Sequence, residues 1–331
     1  MSTSTASYRK LGATGPECFP LALGCMSMSG MYGPVDEAES LATIHAAIEA
    51  GVNLLDTGDF YGSGQNELLI AKAIRSCRDR VLLSVKFGAM RGPDASWLGF
   101  DARPVAVKNA LAYSLKRLGT DHIDIYRPSR LDPNVPIEDT IGAIAEMVQA
   151  GYVRHIGLSE VGAETIRRAA AVHPIVDLQI EYSLVSRSPE QKIFPALAEL
   201  GIGATLYSVL GRGLLSSSRP AAKGDFRAHL PRFSGDNRAR NEQLVAQLKA
   251  IATSKGVTQA QLAIAWVLAR QPGAVPVIGA RTPAQLNESL AALELHLNPD
   301  EISHLAAAVS HEAVAGSRYD ERQMRSLDSE K

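Results

Sequence analysis

The feature that most constrains this chain is an alternation along its whole length. Short runs rich in Val, Ile and Leu are each followed by a longer amphipathic stretch, and the pattern repeats eight times within 331 residues. Such an alternation is typical of βα units arranged around a parallel sheet. Because no break in composition separates the eight units, we predict one closed (β/α)8 barrel.

The pattern predicts the elements of this barrel. The predicted strands span 21–24, 52–56, 81–86, 123–127, 155–159, 177–180, 204–207 and 275–278. The predicted helices span 37–50, 67–76, 105–118, 137–150, 163–171, 191–200, 259–269 and 285–293. We expect a single domain over 1–331, with an N-terminal hairpin at about 8–20 and an irregular C-terminal tail at about 309–331.

An open, doubly wound sheet is the rival architecture. It would place a GxGxxG fingerprint after the first strand, and the sequence there, LALGCMSMSG, is a poor match. One segment, 215–240, breaks the rhythm between the last two units and is rich in Ser, Arg, Gly and Pro. Because long insertions on barrels usually form active-site loops, we predict a flap over cofactor or substrate.

Composition narrows the class of partner. Hydrophobic residues make up 46% of the chain and charged residues 21%, which is typical of a soluble globular protein. The net charge of -1, without long charged blocks, predicts neither nucleic acid nor a membrane surface as a partner. Cys18, Cys25 and Cys77 form no CxxC pair, so we expect a cytoplasmic protein without disulfides or a metal site. Small molecules are the expected partners.

A candidate acid assembly lies where two neighbouring strands end. Lys86 closes an apolar strand run, where an unpaired ammonium group would be costly to bury. Asp56 ends the adjacent strand and can supply the carboxylate. Tyr61 follows five residues later, and a cation beside a tyrosine favours its use as a proton donor. The three side chains together predict acid catalysis at a carbonyl group.

These segments together resemble the aldo-keto reductase family. The resemblance runs from YRKLGATG at 8–15 to LNESLAAL at 286–293, through LDTGDFYGSGQNE, SVKFG, YSVLGRG and GARTPAQLNES. It implies a barrel that binds extended NADPH without a Rossmann motif. It also implies reversible hydride transfer to an aldehyde or ketone.

The resemblance assigns roles position by position. The implied catalytic residues are Asp56, Tyr61 and Lys86, with Ser129 at the position where the family usually has His. For the carboxamide and the nicotinamide ring it implies Ser159, Gln179 and Tyr207, although Glu160 replaces the Asn that often follows the serine. The implied pyrophosphate loop contains Ser208, Leu210, Gly211 and Gly213. The implied adenosine site contains Gly279, Ala280, Arg281, Gln285 and Glu288, with Ser289 where Asn is common.

The predicted function is NADPH-dependent reduction of a carbonyl compound, with NADP+ as the oxidised cofactor. One alternative is an NADPH-binding sensor with slow turnover, because Ser129 replaces the usual His, as in the potassium-channel beta subunits of this family. A metal-assisted barrel hydrolase is disfavoured, since no His pair or carboxylate cluster has ligand spacing. Tyr32, Trp97 and Phe100 predict an aromatic pocket for a bulky ketone, such as a terpenoid or steroid-like compound, or for pyridoxal. No oligomeric state is predicted.

Overall fold

The computed structural model describes residues 7–94, 96–218, 220 and 225–331. The strands in this part of the chain are β1 (Arg9–Lys10), β2 (Glu17–Cys18), β3 (Ala22–Gly24), β4 (Leu54–Gly58), β5 (Leu82–Phe87), β6 (Ala89–Arg91), β7 (Trp97–Phe100), β8 (Ile123–Pro128), β9 (Val153–Ser159), β10 (Ile175–Glu181), β11 (Gly203–Tyr207) and β12 (Val275–Gly279). The α-helices are α1 (Glu37–Glu49), α2 (Gln65–Ile74), α3 (Pro104–Leu118), α4 (Ile137–Gln149), α5 (Ala163–Val172), α6 (Pro189–Leu200), α7 (Gly235–Ser254), α8 (Gln259–Arg270), α9 (Pro283–Leu290), α10 (Pro299–Ala308) and α11 (Glu321–Arg325).

Eight parallel strands close into a barrel in the order β10-β11-β12-β3-β4-β5-β8-β9. The predicted (β/α)8 barrel is therefore confirmed, and the rival open sheet is wrong. The first two strands pair as an antiparallel hairpin that precedes the barrel. Each of the eight predicted strands overlaps one barrel strand.

Alternation within β10 shows how the strands divide their side chains between core and barrel interior. Leu178 and Ile180 are buried in the main hydrophobic core. Asp177 and Gln179 instead hydrogen-bond across the barrel, to side chains on β8 and β4. Burial of both faces is the expected environment of a parallel barrel strand. Polar residues at alternate positions therefore line the barrel interior.

An observed strand starts later than predicted where the preceding helix end extends into the predicted strand. The second predicted strand, 52–56, is observed as β4, which starts at Leu54. The N–H of Val52 donates to the carbonyl of Ala47 at 2.9 Å, so this residue still completes the end of α1. At its other end, β4 extends two residues beyond the predicted strand, to Gly58, just before the turn that contains Tyr61.

The segment 215–240, predicted as a flap, is not irregular throughout, because α7 begins inside it at Gly235. Its residues 219 and 221–224 lie outside the described part of the chain. Val245, Leu248 and Ala252 bury one side of α7 at helical spacing, a pattern that the polar first turns of this helix obscure. Earlier in the segment, Asp225 forms a β-bridge with Tyr32, so the chain crosses to the loop after β3.

Three other elements were not predicted. The antiparallel hairpin β6–β7 follows β5, and α10 and α11 follow the barrel, the latter within the tail predicted as irregular. Within the described part of the chain, no helix combines the length and apolar character needed to span a membrane.

Candidate active site

The pair of Asp56 and Lys86 lies at the carboxyl ends of β4 and β5. Parallel pairing aligns Gly58 with Lys86 and Asp56 with Ser84, which brings the two charged side chains together. Lys86 Nζ donates to Asp56 Oδ2 at 2.6 Å, and both side chains are buried. Burial lowers the pKa of Lys86, while the neighbouring carboxylate of Asp56 opposes that shift. The pair is an ion pair of zero net charge.

Tyr61 lies directly over this pair. Lys86 Nζ is 5.3 Å from the centroid of the Tyr61 ring, and the ring of Phe60 packs edge-to-face against that ring, with the centroids 4.7 Å apart. The Tyr61 hydroxyl makes no hydrogen bond with any described residue, although the ring is buried. It is therefore available to a ligand.

The surroundings of Tyr61 oppose the acidity that was expected for its hydroxyl. Burial raises the pKa of Tyr61 well above its ordinary value, and the Asp56 carboxylate raises it further. Arg130 lowers it, but by less than burial raises it. Burial and the Asp56 carboxylate therefore oppose the acidity that the neighbouring lysine was expected to give Tyr61. Tyr61 is instead a neutral, fully protonated phenol.

Asn66 holds the turn that carries Tyr61. Its side chain accepts from Thr57 Oγ1 at 2.6 Å and donates to the carbonyl of Cys25 and to Ser29 Oγ. These bonds tie α2 to β4 and to the loop after β3. Asn66 is fully buried, and the sequence analysis missed it because a single Asn in a helix carries no recognisable signal.

A closed ring of hydrogen-bonded side chains that includes Asp56 crosses the barrel interior. Gln179 Nε2 donates to Asp56 Oδ1 at 2.8 Å, and Arg127 Nη1 binds Asp177 Oδ2 at 2.9 Å. The ring runs in order through Asp56, Gln179, Thr205, Asp177, Arg127 and Ser84. These bonds fix the orientation of the Asp56 carboxylate, so the other members are positioning residues. Arg127 and Asp177 were not predicted as site residues. The signal that could have identified them is a charged residue within an otherwise apolar strand.

Ser129 and Arg130 follow β8 on the same end of the barrel. Ser129 is buried, and its hydroxyl has no hydrogen-bond partner among the described residues. The guanidinium group of Arg130 donates to the carbonyl of Ser129 at 2.6 Å and to Tyr319 Oη at 3.3 Å. Ser129 therefore contacts Arg130 through its backbone carbonyl, while its own hydroxyl remains without a partner among the described residues.

All three residues assigned to the nicotinamide end hydrogen-bond to other side chains of the protein. The Gln179 amide nitrogen donates to Asp56, as described above. Tyr207 Oη donates to Glu160 Oε1 at 2.8 Å and lies 3.1 Å from Tyr319 Oη. Ser159 Oγ accepts from Arg130 Nη1 at 3.5 Å. Ser159, Tyr207 and Arg130 thus converge on one region of the barrel mouth.

Glu160 differs in role from the Asn whose position it takes. Its carboxylate accepts from Arg318, Tyr207 and Ser329. Burial raises its pKa, but Arg318 and Arg130 outweigh burial and lower the pKa of Glu160 below its usual range. Because Arg318 and Ser329 both belong to the C-terminal tail, their bonds to Glu160 anchor the tail to the loop after β9.

The loop assigned to the pyrophosphate follows β11. Ser208 and Gly211 have positive φ angles, and the N–H groups of Gly211 and Gly213 donate to Ser208 and Leu210 carbonyls within the loop. A Cβ at Gly213 would lie 2.7 Å from Arg227 Nη1, and its φ is +102°, so only glycine fits there. The four assigned residues form one compact turn.

The residues assigned to the adenosine end surround the start of α9. The Thr282 hydroxyl caps this helix by accepting from the Gln285 N–H at 3.2 Å. Gln285 Oε1 accepts from the N–H of Arg281, whose side chain donates to the carbonyl of Tyr32 at 3.3 Å. Ser289 Oγ bonds to its own helix. Gly279 ends β12, Ala280 follows it, and Glu288 lies in α9.

The C-terminal tail contributes two side chains to the site that the sequence analysis missed. Arg318 binds Glu160 at 3.0 Å and Glu181 at 3.2 Å, and Tyr319 lies under the guanidinium of Arg212 at 4.1 Å. Arg318 and Tyr319 lie far in sequence from every motif, so no local pattern indicated that they belong to the site. Of the predicted pocket aromatics, Tyr32 contacts Phe226 and Arg227 near this region, whereas Trp97 and Phe100 pack against each other on the hairpin.

The aldo/keto reductase family model matches residues 20–310, which include every barrel strand. The chain belongs to the aldo/keto reductase family. Its members are oxidoreductases that use nicotinamide cofactors and act on carbonyl groups. The resemblance recognised in the sequence is thereby confirmed.

Solved structures give the same fold. A glycerol dehydrogenase from Gluconobacter oxydans superposes with a TM-score of 0.83 at 23% identity, covering 92% of this chain and 96% of that chain. An aldo-keto reductase from Bacillus halodurans, in its holo form, gives 0.77 at 27%, covering 96% and 99%. A thermostable aldo-keto reductase in complex with the inhibitor epalrestat gives 0.74 at 29%, covering 91% and 99%.

The residues present fit a nicotinamide dinucleotide. The unpartnered Ser129 hydroxyl directly follows β8, and the glycine-containing turn at 208–213 follows β11 at the same end of the barrel. At the opposite end, the guanidinium of Arg281 has no carboxylate within 4.0 Å among the described residues and stands at a capped helix N-terminus. Donors and a cation at these places suit the amide, phosphate and adenosine portions of such a cofactor.

Proposed function

We propose that this protein is an NADPH-dependent reductase of aldehydes or ketones, reversible in the direction of alcohol oxidation. The observation that carries the proposal is Tyr61, whose ring lies 5.3 Å from Nζ of Lys86 in the buried Asp56–Lys86 pair and whose hydroxyl has no partner among the described residues. A small carbonyl compound is the proposed partner.

The bound cofactor supplies the hydride. Tyr61 keeps its proton on Oη across the neutral pH range, because burial raises the pKa of its phenol well above the ordinary value. As the substrate oxygen gains negative charge, it becomes a strong enough base to take this proton. Lys86, 5.3 Å from the ring centroid, stabilises the negative charge that then develops on the ring.

Ser129 would orient the substrate without transferring a proton. Its hydroxyl can donate one neutral hydrogen bond to the carbonyl oxygen, whereas an imidazole could also titrate near neutral pH. The same substitution supports the second candidate function, an NADPH-binding sensor with slow turnover. Rate measurements separate the two functions.

NADPH in place of NADH is proposed from Arg281. Its guanidinium lies at the start of α9 and, within the described part of the chain, has no carboxylate within 4.0 Å. A guanidinium group matches the 2'-phosphate that only NADPH carries. Ser159 and Gln179 would hold the carboxamide, Tyr207 would stack on the ring, and the turn of Ser208, Leu210, Gly211 and Gly213 would hold the pyrophosphate.

The test compares Tyr61→Phe with wild type in NADPH oxidation against a panel of aldehydes and ketones. We expect wild-type turnover on the order of 1 per second for the best substrate. In Tyr61→Phe, kcat should fall by about 100-fold or more, because the ring remains but the proton donor is lost. NADPH binding, followed by fluorescence, should be unchanged.

Tyr113→Phe is the matched control, because Tyr113 is exposed on α3. It should keep wild-type rates. Near-normal turnover in Tyr61→Phe would assign the acid to another residue. Tight NADPH binding without turnover on any carbonyl compound would instead support the sensor.

A further inference from the structure

Arg130 differs from five other arginines of the barrel interior and mouth. Those arginines each have a carboxylate oxygen within 4.0 Å, and they are Arg127, Arg212, Arg227, Arg232 and Arg318. Arg130 has none among the described residues. Its hydrogen bonds go to the Ser129 carbonyl, Ser159 Oγ and Tyr319 Oη, all of which are neutral.

The charges around Arg130 leave one positive charge without a counterion. Four guanidinium groups, those of Arg130, Arg212, Arg232 and Arg318, share this region with three carboxylates, those of Glu160, Glu181 and Glu330. The nearby Lys86 and Asp56 neutralise each other. A partly buried cation without an anion is costly, so the arrangement suits an anionic ligand.

The position of Arg130 places this ligand at the reacting centre. The N–H of Ser129 donates to the carbonyl of Phe87, the residue after Lys86, at 2.8 Å, so Ser129 and Arg130 follow β8 beside the end of β5 that carries Lys86. In keeping with this position, the charge of Arg130 lowers the pKa of both Tyr61 and Lys86. Tyr319 Oη, which binds Arg130, also lies 3.1 Å from Tyr207 Oη. The free positive charge therefore faces the place where the carbonyl substrate would bind.

Ser129 supplies an independent observation. Its side chain is 3% exposed, and its hydroxyl has no partner among the described residues. Buried hydroxyl groups are normally hydrogen-bonded, so an orphaned one beside Arg130 indicates a ligand with an acceptor oxygen. The two adjacent side chains offer one neutral donor and one charged donor to the same molecule.

We propose that the substrate is an oxo acid, whose carboxylate binds the Arg130 guanidinium while its carbonyl oxygen accepts from Ser129. This inference rests on the proposed carbonyl reduction and adds the substrate class. A planar carboxylate matches the fork of a guanidinium group, which can bind both of its oxygens. Selectivity for such substrates would then depend on Arg130 and not on Tyr61.

The experiment measures kcat/KM on aldehydes that differ only in charge. The pairs are 4-oxobutanoate with 4-oxobutanamide, and 3- and 4-formylbenzoate with the corresponding formylbenzamides. For each pair whose carboxylate is a substrate, wild-type kcat/KM should be about 10-fold to 100-fold higher on the carboxylate than on the amide. This range corresponds to one hydrogen bond to a charged group. Arg130→Gln should abolish the preference, and Arg130→Lys should keep part of it.

Two variants serve as controls. Ser129→Ala should slow the carboxylate and the amide alike, by about 2-fold to 12-fold, because it loses only a neutral hydrogen bond. Arg168→Gln, at an exposed ion pair on the outer face of α5, should leave all rates unchanged. Binding of benzoate and benzamide to the protein with NADPH, by calorimetry, gives a readout that does not need turnover.

Several results would overturn the inference. Equal rates on carboxylate and amide, with equal binding of benzoate and benzamide, would refute the oxo acid as the substrate class. The proposed carbonyl reduction would be unaffected. Weaker NADPH binding in Arg130→Gln, with both substrates affected alike, would assign Arg130 to the cofactor. An Arg130-dependent preference for 4-formylphenyl phosphate over 4-formylbenzoate would replace the carboxylate with a phosphate. Absence of turnover on every aldehyde, with Arg130-dependent benzoate binding, would refute the reductase but support the anion site.

Discussion

At the scale of single residues, backbone strain coincides with the candidate site. In the described part of the chain, four non-glycine residues have positive φ, namely Ser63, Glu160, Ser208 and Arg212. All four lie in loops that follow barrel strands at the site end. Side chains other than Gly, Asn and Asp rarely adopt this conformation, and such strain persists where the surroundings enforce it. In Glu160 and Arg212, buried ion pairs provide that enforcement.

Asp59 should make stability depend on pH. Burial, together with the nearby Glu67 carboxylate, raises the pKa of Asp59 to about 7, and its Oδ1 atom has no partner among the described residues. In the unfolded chain its pKa is about 3.9. Between these values the folded protein retains a proton that the unfolded chain has released. Stability is therefore lost as pH rises from about 4 to about 7.

Asp59→Asn should remove this loss. At pH 8 we expect the variant to unfold in urea with a free energy roughly 1 to 3 kcal/mol higher than wild type, after allowance for partial solvent exposure. Near pH 4 the two proteins should be equal. Asp79→Asn, at an exposed carboxylate, is the control and should follow wild type throughout. A constant difference between Asp59→Asn and wild type at all pH values would show that titration of Asp59 is not the cause.

Cofactor choice depends, on the proposal above, on a single guanidinium. Arg281→Ala should weaken NADPH binding by about 10-fold to 150-fold, because a charge-assisted hydrogen bond to the 2'-phosphate is lost. NADH binding should barely change. Titration of both cofactors by fluorescence tests this, and equal losses for NADPH and NADH would argue against a phosphate contact.

At the scale of elements, the C-terminal tail is an integral part of the site. Arg318 binds Glu160, Glu181 and Glu330, the last at 2.5 Å, and its carbonyl accepts from Arg212. Further along, Asp328 accepts from the N–H of a glycine in the loop after β9. The tail thereby covers the loops after β9 and β10.

Removing Arg318 should be strongly destabilising. Arg318→Met leaves the buried Glu160 carboxylate without its main partner and removes a second arginine from Glu181, which keeps Arg212 at 2.8 Å. Breaking a buried pair in this way costs about 3 kcal/mol or more. Adding Glu160→Gln should restore part of the loss, because it removes one of the orphaned charges. Urea denaturation of both variants, with the exposed Arg322→Met as control, provides the measurement. Equal stability of Arg318→Met and Arg322→Met would mean that the tail is not docked in solution.

Elements that depend on local pattern were predicted well, and elements that depend on packing were not. The barrel strands have strong apolar runs, so each was located to within a few residues. The hairpin β6–β7 was missed because its apolar residues are partly exposed, including Trp97 at 39% and Leu98 at 60%. Helix α7 was missed because its first turns are polar and its buried residues come later.

At the scale of the whole molecule, barrel closure creates contacts between residues far apart in sequence. Gln179 and Asp56 are 123 positions apart and lie on strands that are not neighbours, yet they hydrogen-bond at 2.8 Å across the interior. The buried Arg127–Asp177 pair closes the same ring. Such pairs need both strand order and register, which no local pattern contains.

The sequence by itself determined the (β/α)8 barrel, the family, and the positions of Asp56, Tyr61 and Lys86, because these depend on periodicity and on motifs within short segments. Only the tertiary structure decided the state of those groups. Burial and the neutralising Asp56 make Tyr61 a weak acid, which a spacing of residues cannot reveal. The structure also brought Arg318 and Tyr319 from the far end of the chain to the barrel mouth, and it left Arg130 without a carboxylate among the described residues. Electrostatic environment depends on all neighbours in space, so it follows from the fold and not from any segment alone.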